Sequence, residues 1–86
     1  MPLLYDEKKR QANIAKHGVD LLEVAEFDFD TALEVTRFEN GEYRNIALGY
    51  IYDVLHVLVY TMPQADTVRA ISLRRATPKE RRKYHE

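Results

Sequence analysis

Val68-Arg-Ala-Ile-Ser-Leu-Arg-Arg-Ala-Thr-Pro-Lys-Glu-Arg-Arg-Lys-Tyr84 is the stretch whose reading decides the fold of this chain. Its first half, Val68 to Arg75, is rich in β-formers and reads as a strand. The second half opens with Thr77-Pro78-Lys79-Glu80: an N-cap, a proline at the first helical position and a capping glutamate at the third. A helix therefore follows the strand directly. Residues 69–86 hold seven Lys and Arg against two Glu, a local charge of +5 that suits an anion such as a phosphate backbone.

The rest of the chain compensates. Residues 19–42 carry eight Asp and Glu against Arg37 alone, so the 86 residues sum to only −1 and the sequence is dipolar. A chain of this length makes one domain, residues 1–86, which buries roughly 60–65 % of its unfolded surface. Its 45 % hydrophobic content excludes wholesale disorder. No run approaches the roughly 20 apolar residues of a membrane helix, and no signal-like apolar core opens the chain, so a cytoplasmic location is expected. There is no cysteine, which removes disulfides, thiolate chemistry and Cys-based zinc sites. The histidines and carboxylates lack metal-site spacing, so no metal or other cofactor is expected.

Backwards from the opening stretch, Val54 to Thr61 is almost continuously apolar and reads as a central strand. Before it, Tyr43 to Tyr50 and Thr31 to Glu39 are strands joined at Asn40-Gly41, the pair that a type I′ hairpin turn favours. Near the start, Leu3-Leu4-Tyr5 suits a strand and Asp6 caps a helix running to about Lys16, which Gly18 ends. A second helix starts at Asp20 with Glu23 completing a capping box, and Leu21, Leu22, Val24, Ala25 and Phe27 form its apolar face. The fold class is α+β: an N-terminal helical hairpin packed on an antiparallel sheet of about four strands, with a C-terminal helix.

Strict alternation sorts the strands into two faces. Ile46, Leu48, Leu55, Val57, Val59, Ile71 and Leu73 form a floor for the helical hairpin. Tyr43, Asn45, Ala47, Gly49, His56, Leu58, Tyr60, Ala70, Ser72 and Arg74 then make a shallow open surface, rimmed by Arg81, Arg82 and Tyr84. Arg69 and Arg75 share the floor's parity and belong at strand ends. Arg74 has no apolar reason to stand beside Ser72. His17 suits a helix-end cap more readily than a catalyst, His56 a structural imidazole, and His85 lies at the terminus. Tyr43, Tyr60 and Tyr84 are suited to stacking on bases or to proton donation.

The ordered combination of Asp6, Lys9, Arg10, Asn13, Lys16-His17-Gly18-Val19, Glu42-x-Arg44, Gly49, Val57-x-Val59-Tyr60-Thr61, Arg69-x-Ile71-Ser72-x-Arg74-Arg75-Ala76-Thr77 and Glu80-Arg81-x-x-Tyr84 resembles the BrnT family of toxins across the whole chain. Three positions depart from that pattern: Tyr5 stands where tryptophan is frequent, Gln64-Ala65-Asp66 lacks a common glycine, and Leu73 replaces a usual alanine. The resemblance implies a RelE-like fold and a type II toxin, a metal-independent endoribonuclease that inhibits translation. It also implies a BrnA-type antitoxin that neutralises the toxin as a hetero-oligomer and brings a DNA-binding module, through which alone operator DNA is reached.

Metal-free RNA cleavage requires a base for the 2′-hydroxyl, cations for the phosphorane and a donor for the leaving 5′-oxygen. Within the resemblance, Arg74, helped by Arg69 and Arg44, is assigned to the phosphorane, His17 or Lys16 to the base, and Tyr84 or His17 to the acid. Lys16, Arg75, Lys79, Arg81, Arg82 and Tyr43 are assigned to RNA binding. The competing reading is a non-catalytic basic module for RNA or an acidic protein. Direct DNA binding is disfavoured, because no recognition-helix pattern precedes the C-terminal helix.

Overall fold

β1 (Leu3–Leu4), α1 (Glu7–His17), a 3-10 helix (Leu21–Glu26), β2 (Leu33–Glu39), β3 (Glu42–Ile51), β4 (Val54–Gln64), β5 (Thr67–Arg75) and α2 (Pro78–Tyr84) follow one another in the computed structural model, which describes residues 2–86. The sheet has five strands in the order β1-β5-β4-β3-β2. All neighbours are antiparallel except β1, which lies parallel to β5 with Leu3 opposite Val68 and Leu4 opposite Arg69. The four-strand antiparallel expectation is thus corrected to a five-strand mixed sheet. The lead-in Leu3-Leu4 reaches β5 because Val68 donates its N–H to the Pro2 carbonyl, 3.0 Å away.

Local codes place the helices. Asp6 accepts from the Lys8 N–H at 2.9 Å, and Gly18 closes α1 with φ +70° while its N–H donates to the Ile14 carbonyl. Asp20 and Glu23 form the capping box of the next helix, as Thr77 and Glu80 do for α2. The Leu21–Glu26 segment is a 3-10 helix, so a period of three turns Leu21, Val24 and the following Phe27 inward. Leu22 and Ala25, expected on the same apolar face, are exposed.

The assignment of faces is reversed. The main core joins Val19, Leu21, Val24 and Phe27 to Ala47, Ile51, Leu58, Tyr60, Val68, Ala70 and Leu73, so the helical segment packs on the face rich in small residues. Small side chains there mark close approach: a Cβ at Gly49 would lie 2.7 Å from Phe27 Cζ. Ile46, Leu48, Leu55 and Val57 lie on the opposite face, where Ala76, just ahead of α2, and Tyr84 of α2 join a second, smaller cluster.

Parity also breaks once in β5. Val59 pairs with Ser72 but Tyr60 pairs with Ala70, so Ile71 is the extra residue of a β-bulge. Val68, Ala70 and Leu73 therefore share the core face, and Arg69, Ser72 and Arg74 share the other. α1 closes the outer edge of β5 through Asn13, which is 5 % exposed. Its Nδ2 donates to the Leu73 and Val19 carbonyls, each at 2.7 Å, and its Oδ1 accepts from the Leu73 N–H at 3.1 Å. A side-chain amide here stands in for a neighbouring strand.

Candidate functional site

The face that carries α2 is divided into two zones by its cross-strand rows. Near α2 the rows are aliphatic: Leu33 opposite Leu48 opposite Val57, then Val35 opposite Ile46 opposite Val59. One row further, Arg37 stands opposite Arg44, and Thr61 stands opposite Arg69. Extending the β3–β4 register by one residue from Asn45–Tyr60 puts Arg44 beside Thr61. Arg37, Arg44, Thr61 and Arg69 thus form one row across four strands.

Like charges directly opposite on neighbouring strands destabilise a sheet, and among the described residues Arg37 and Arg69 form no ion pair. Arg44 meets only Glu42, at 3.8 Å. Arg44 Nε and Thr61 Oγ1 are buried without a hydrogen-bond partner. Both groups belong to the row itself, so an N–H and a hydroxyl without partners stand among its cations, all of them able to donate to an anion.

A cleft of about 430 Å³ opens over this row, lined by Arg44, Arg69 and Ile71 of the sheet and by Tyr5, Asp6 and Lys9 ahead of and within α1. It adjoins a smaller cleft of about 170 Å³ lined by Lys9, Asn13, Lys16, His17, Ile71 and Ser72. Lys9 and Ile71 belong to both. Lys9, Ala12 and Lys16 follow i, i+3, i+7 spacing, so one side of α1 walls the whole groove. The bulge at Ile71 is what sets Arg69 and Ser72 on this wall together, which strict alternation forbids.

The structure therefore brings together Arg44, Arg69, Lys16 and His17 among the residues singled out in the sequence. It adds Lys9, Tyr5, Arg37 and Thr61. A uniform polar residue in an apolar strand was the available signal for Thr61, and the Asn40-Gly41 register was the signal for Arg37 facing Arg44. Arg74 lies on the same face but is engaged: its guanidinium donates to both carboxylate oxygens of Glu80 at 2.8 Å each. That pairing raises the Arg74 pKa and, with the Thr77 N–H, holds Glu80 down at about 2.

Other candidates lie apart. Tyr84 donates its hydroxyl to the Thr31 carbonyl at 2.9 Å and packs edge-on against Tyr50. Tyr50 is six residues along β3 from Arg44, about 20 Å at roughly 3.3 Å per residue. Arg81 donates to the Ala76 carbonyl, Lys79 lines a groove beside α2, and Arg75 and Arg82 are exposed. Tyr43 packs edge-on against Phe38 on the face opposite the arginine row. Tyr60 is buried and donates to Glu34, and burial followed by that carboxylate raises its pKa. His56 is also buried, with Nδ1 2.9 Å from the Val54 carbonyl oxygen. His85 Nε2 is 3.1 Å from the Tyr50 hydroxyl. Among the described residues no helix is long and apolar enough to cross a membrane.

A family model described as ribonuclease toxin, BrnT, of type II toxin-antitoxin system matches residues 5–80. That span contains Tyr5, the cleft residues, Arg74 and Glu80, and it ends before Tyr84. Among solved structures, the 1.1 Å crystal structure of the Brucella abortus ribonuclease toxin BrnT is similar over 90 % of this chain and 97 % of that one, with 28 % identity and a TM-score of 0.73. Comparison with curated protein sequences gives no match.

Proposed function

The chain belongs to the BrnT family of ribonuclease toxins of type II toxin-antitoxin systems, and from that premise we propose that the groove between α1 and the arginine row is where RNA is cut. The observation that carries this reading is the row itself, in which Arg44 and Arg69 line the cleft while Arg44 Nε and the neighbouring Thr61 Oγ1 are buried without hydrogen-bond partners.

In the proposed reaction a ribose 2′-oxygen attacks the adjacent phosphorus, its proton passes to a base, and the 5′-oxygen departs with a proton. The products are a 2′,3′-cyclic phosphate and a 5′-hydroxyl. Arg44 and Arg69 hold the phosphorane oxygens, where fixed positive charge counts most in the transition state. His17 or Lys16, on the α1 wall, takes the 2′-hydroxyl proton. Lys9 and Tyr5, which line the same cleft, are proposed to protonate the leaving oxygen, while Tyr84, tied to Thr31, positions α2. Arg74 supports the site by fixing α2 to β5. Guanidinium and ammonium groups supply the required charge, so the cleavage is proposed to be independent of metal.

As a toxin of this type the chain acts with an antitoxin. We propose a BrnA-type partner with a DNA-binding module, RNA as the substrate, arrest of translation as the outcome and the cytoplasm as the place of action. The test is incubation of purified protein with end-labelled RNA in EDTA. Cyclic-phosphate products that disappear with Arg69→Ala support the reading, and RNA retention without cleavage by the wild-type protein contradicts it in favour of a binding module.

A further inference from the structure

Between α2 and the arginine row the sheet leaves a groove of about 480 Å³. Its floor is Leu33, Val35, Ile46, Leu48 and Val57, and large aliphatic side chains are unusually open here: Leu33 is 49 % and Val35 55 % exposed. Lys79 and Lys83 of α2 stand on one bank and Arg37 on the other. Glu80 and Glu34, the carboxylates at its margin, are already engaged with Arg74 and Tyr60.

We propose that this groove seats an acidic amphipathic helix of the antitoxin. An apolar floor favours a protein segment over RNA, whose backbone gains little from aliphatic side chains. Cations on both banks call for a helix whose apolar stripe is flanked by Asp and Glu on either side. Size points the same way. The floor runs from β2 across β3 to Val57 of β4, two strand spacings or roughly 10 Å, the diameter of one α-helix with its side chains. A helix seated there lies beside α2, completes the layer that α2 begins, and runs against Arg37 and Arg44, so occupancy of the groove also shields the arginine row from RNA.

This inference rests on the toxin reading, and the test separates the two. The full-length chain is co-expressed with a BrnA-type antitoxin, and Val35→Glu, which places a like charge among the antitoxin's carboxylates on an exposed strand, is compared with wild type. Binding is expected to fall at least tenfold, RNA cleavage to stay unchanged and the toxin to escape neutralisation. Val35→Leu is expected to bind as wild type does. Undiminished antitoxin binding by Val35→Glu overturns the groove proposal while leaving the toxin reading intact. A wild-type chain that binds no antitoxin overturns both. Hydrogen exchange on the wild-type complex distinguishes the occupant's form: protection of the outward amides of β2 marks strand addition and overturns the helix, whereas their continued exchange supports it.

Discussion

Glu80 accepts two hydrogen bonds from Arg74 at 2.8 Å while its Oε1 also accepts the Thr77 N–H at 2.8 Å, so a single carboxylate caps α2 and clamps it to β5. Removing that charge loosens both attachments. Glu80→Gln is expected to cost about 1–2 kcal/mol, the range of a cap combined with a partly exposed ion pair. Urea unfolding measures it, and an unchanged midpoint denies the clamp its role.

The same carboxylate gives the fold an acid dependence. Arg74, helped by the Thr77 N–H, lowers the Glu80 pKa from an ordinary 4.5 to about 2. A depressed carboxylate contributes stability that is fully present above pH 4.5 and is lost as the pH falls towards 2. Solvent screening of side chains that are 35 % and 30 % exposed limits the contribution to about 1–2 kcal/mol. Unfolding free energy measured from pH 6 down to pH 2 is therefore expected to drop more steeply for the wild-type chain than for Glu80→Gln.

Asn13 is the most consequential polar residue of the core. Asn13→Leu leaves the Leu73 N–H and two buried carbonyls without their partner. The expected loss is about 2–4 kcal/mol, a large part of the stability of a domain this small. Thermal unfolding reports it, with Asn13→Asp losing the two donated bonds and recovering little.

Close packing at Gly49 gives a converse case. A methyl group there meets Phe27 Cζ at 2.7 Å and Ala32 Cβ at 3.0 Å. Gly49→Ala is expected to destabilise by about 1–3 kcal/mol through overpacking. Pairing it with Phe27→Leu should return part of that loss, which a double-mutant cycle reads directly.

Much of the fold was legible because its boundaries are written as local chemistry. The two capping boxes, at Asp20–Glu23 and Thr77–Glu80, mark helix starts, and Asn40 and Gly41 adopt φ of 50° and 80° in the turn that their pairing predicts. What the sequence did not disclose is which face each strand turns to the helices. Ala47, Gly49 and Ala70 read as an open surface because they are small, yet they are small because Phe27 and its neighbours press against that face. The bulge at Ile71 leaves no compositional mark, and it alone sets Arg69 beside Ser72 and Arg74. Arg44, Arg69, Lys16 and His17 were nameable from residue type, but their meeting in one groove depends on strand register. Arg74 was favoured by its isolation on a strand, and its Glu80 partner comes from the next element.

The most direct test of the arginine row is the single-turnover cleavage rate of Arg44→Ala on labelled RNA in EDTA, beside its unfolding midpoint. Because Arg44 Nε has no hydrogen-bond partner and its ion pair with the exposed Glu42 is long, at 3.8 Å, its removal is expected to leave stability within about 0.5 kcal/mol of wild type. The cleavage rate is expected to fall by about 100-fold, the scale of losing one preorganised charge on a transition-state oxyanion. A folded Arg44→Ala protein that cleaves RNA at the wild-type rate contradicts the account.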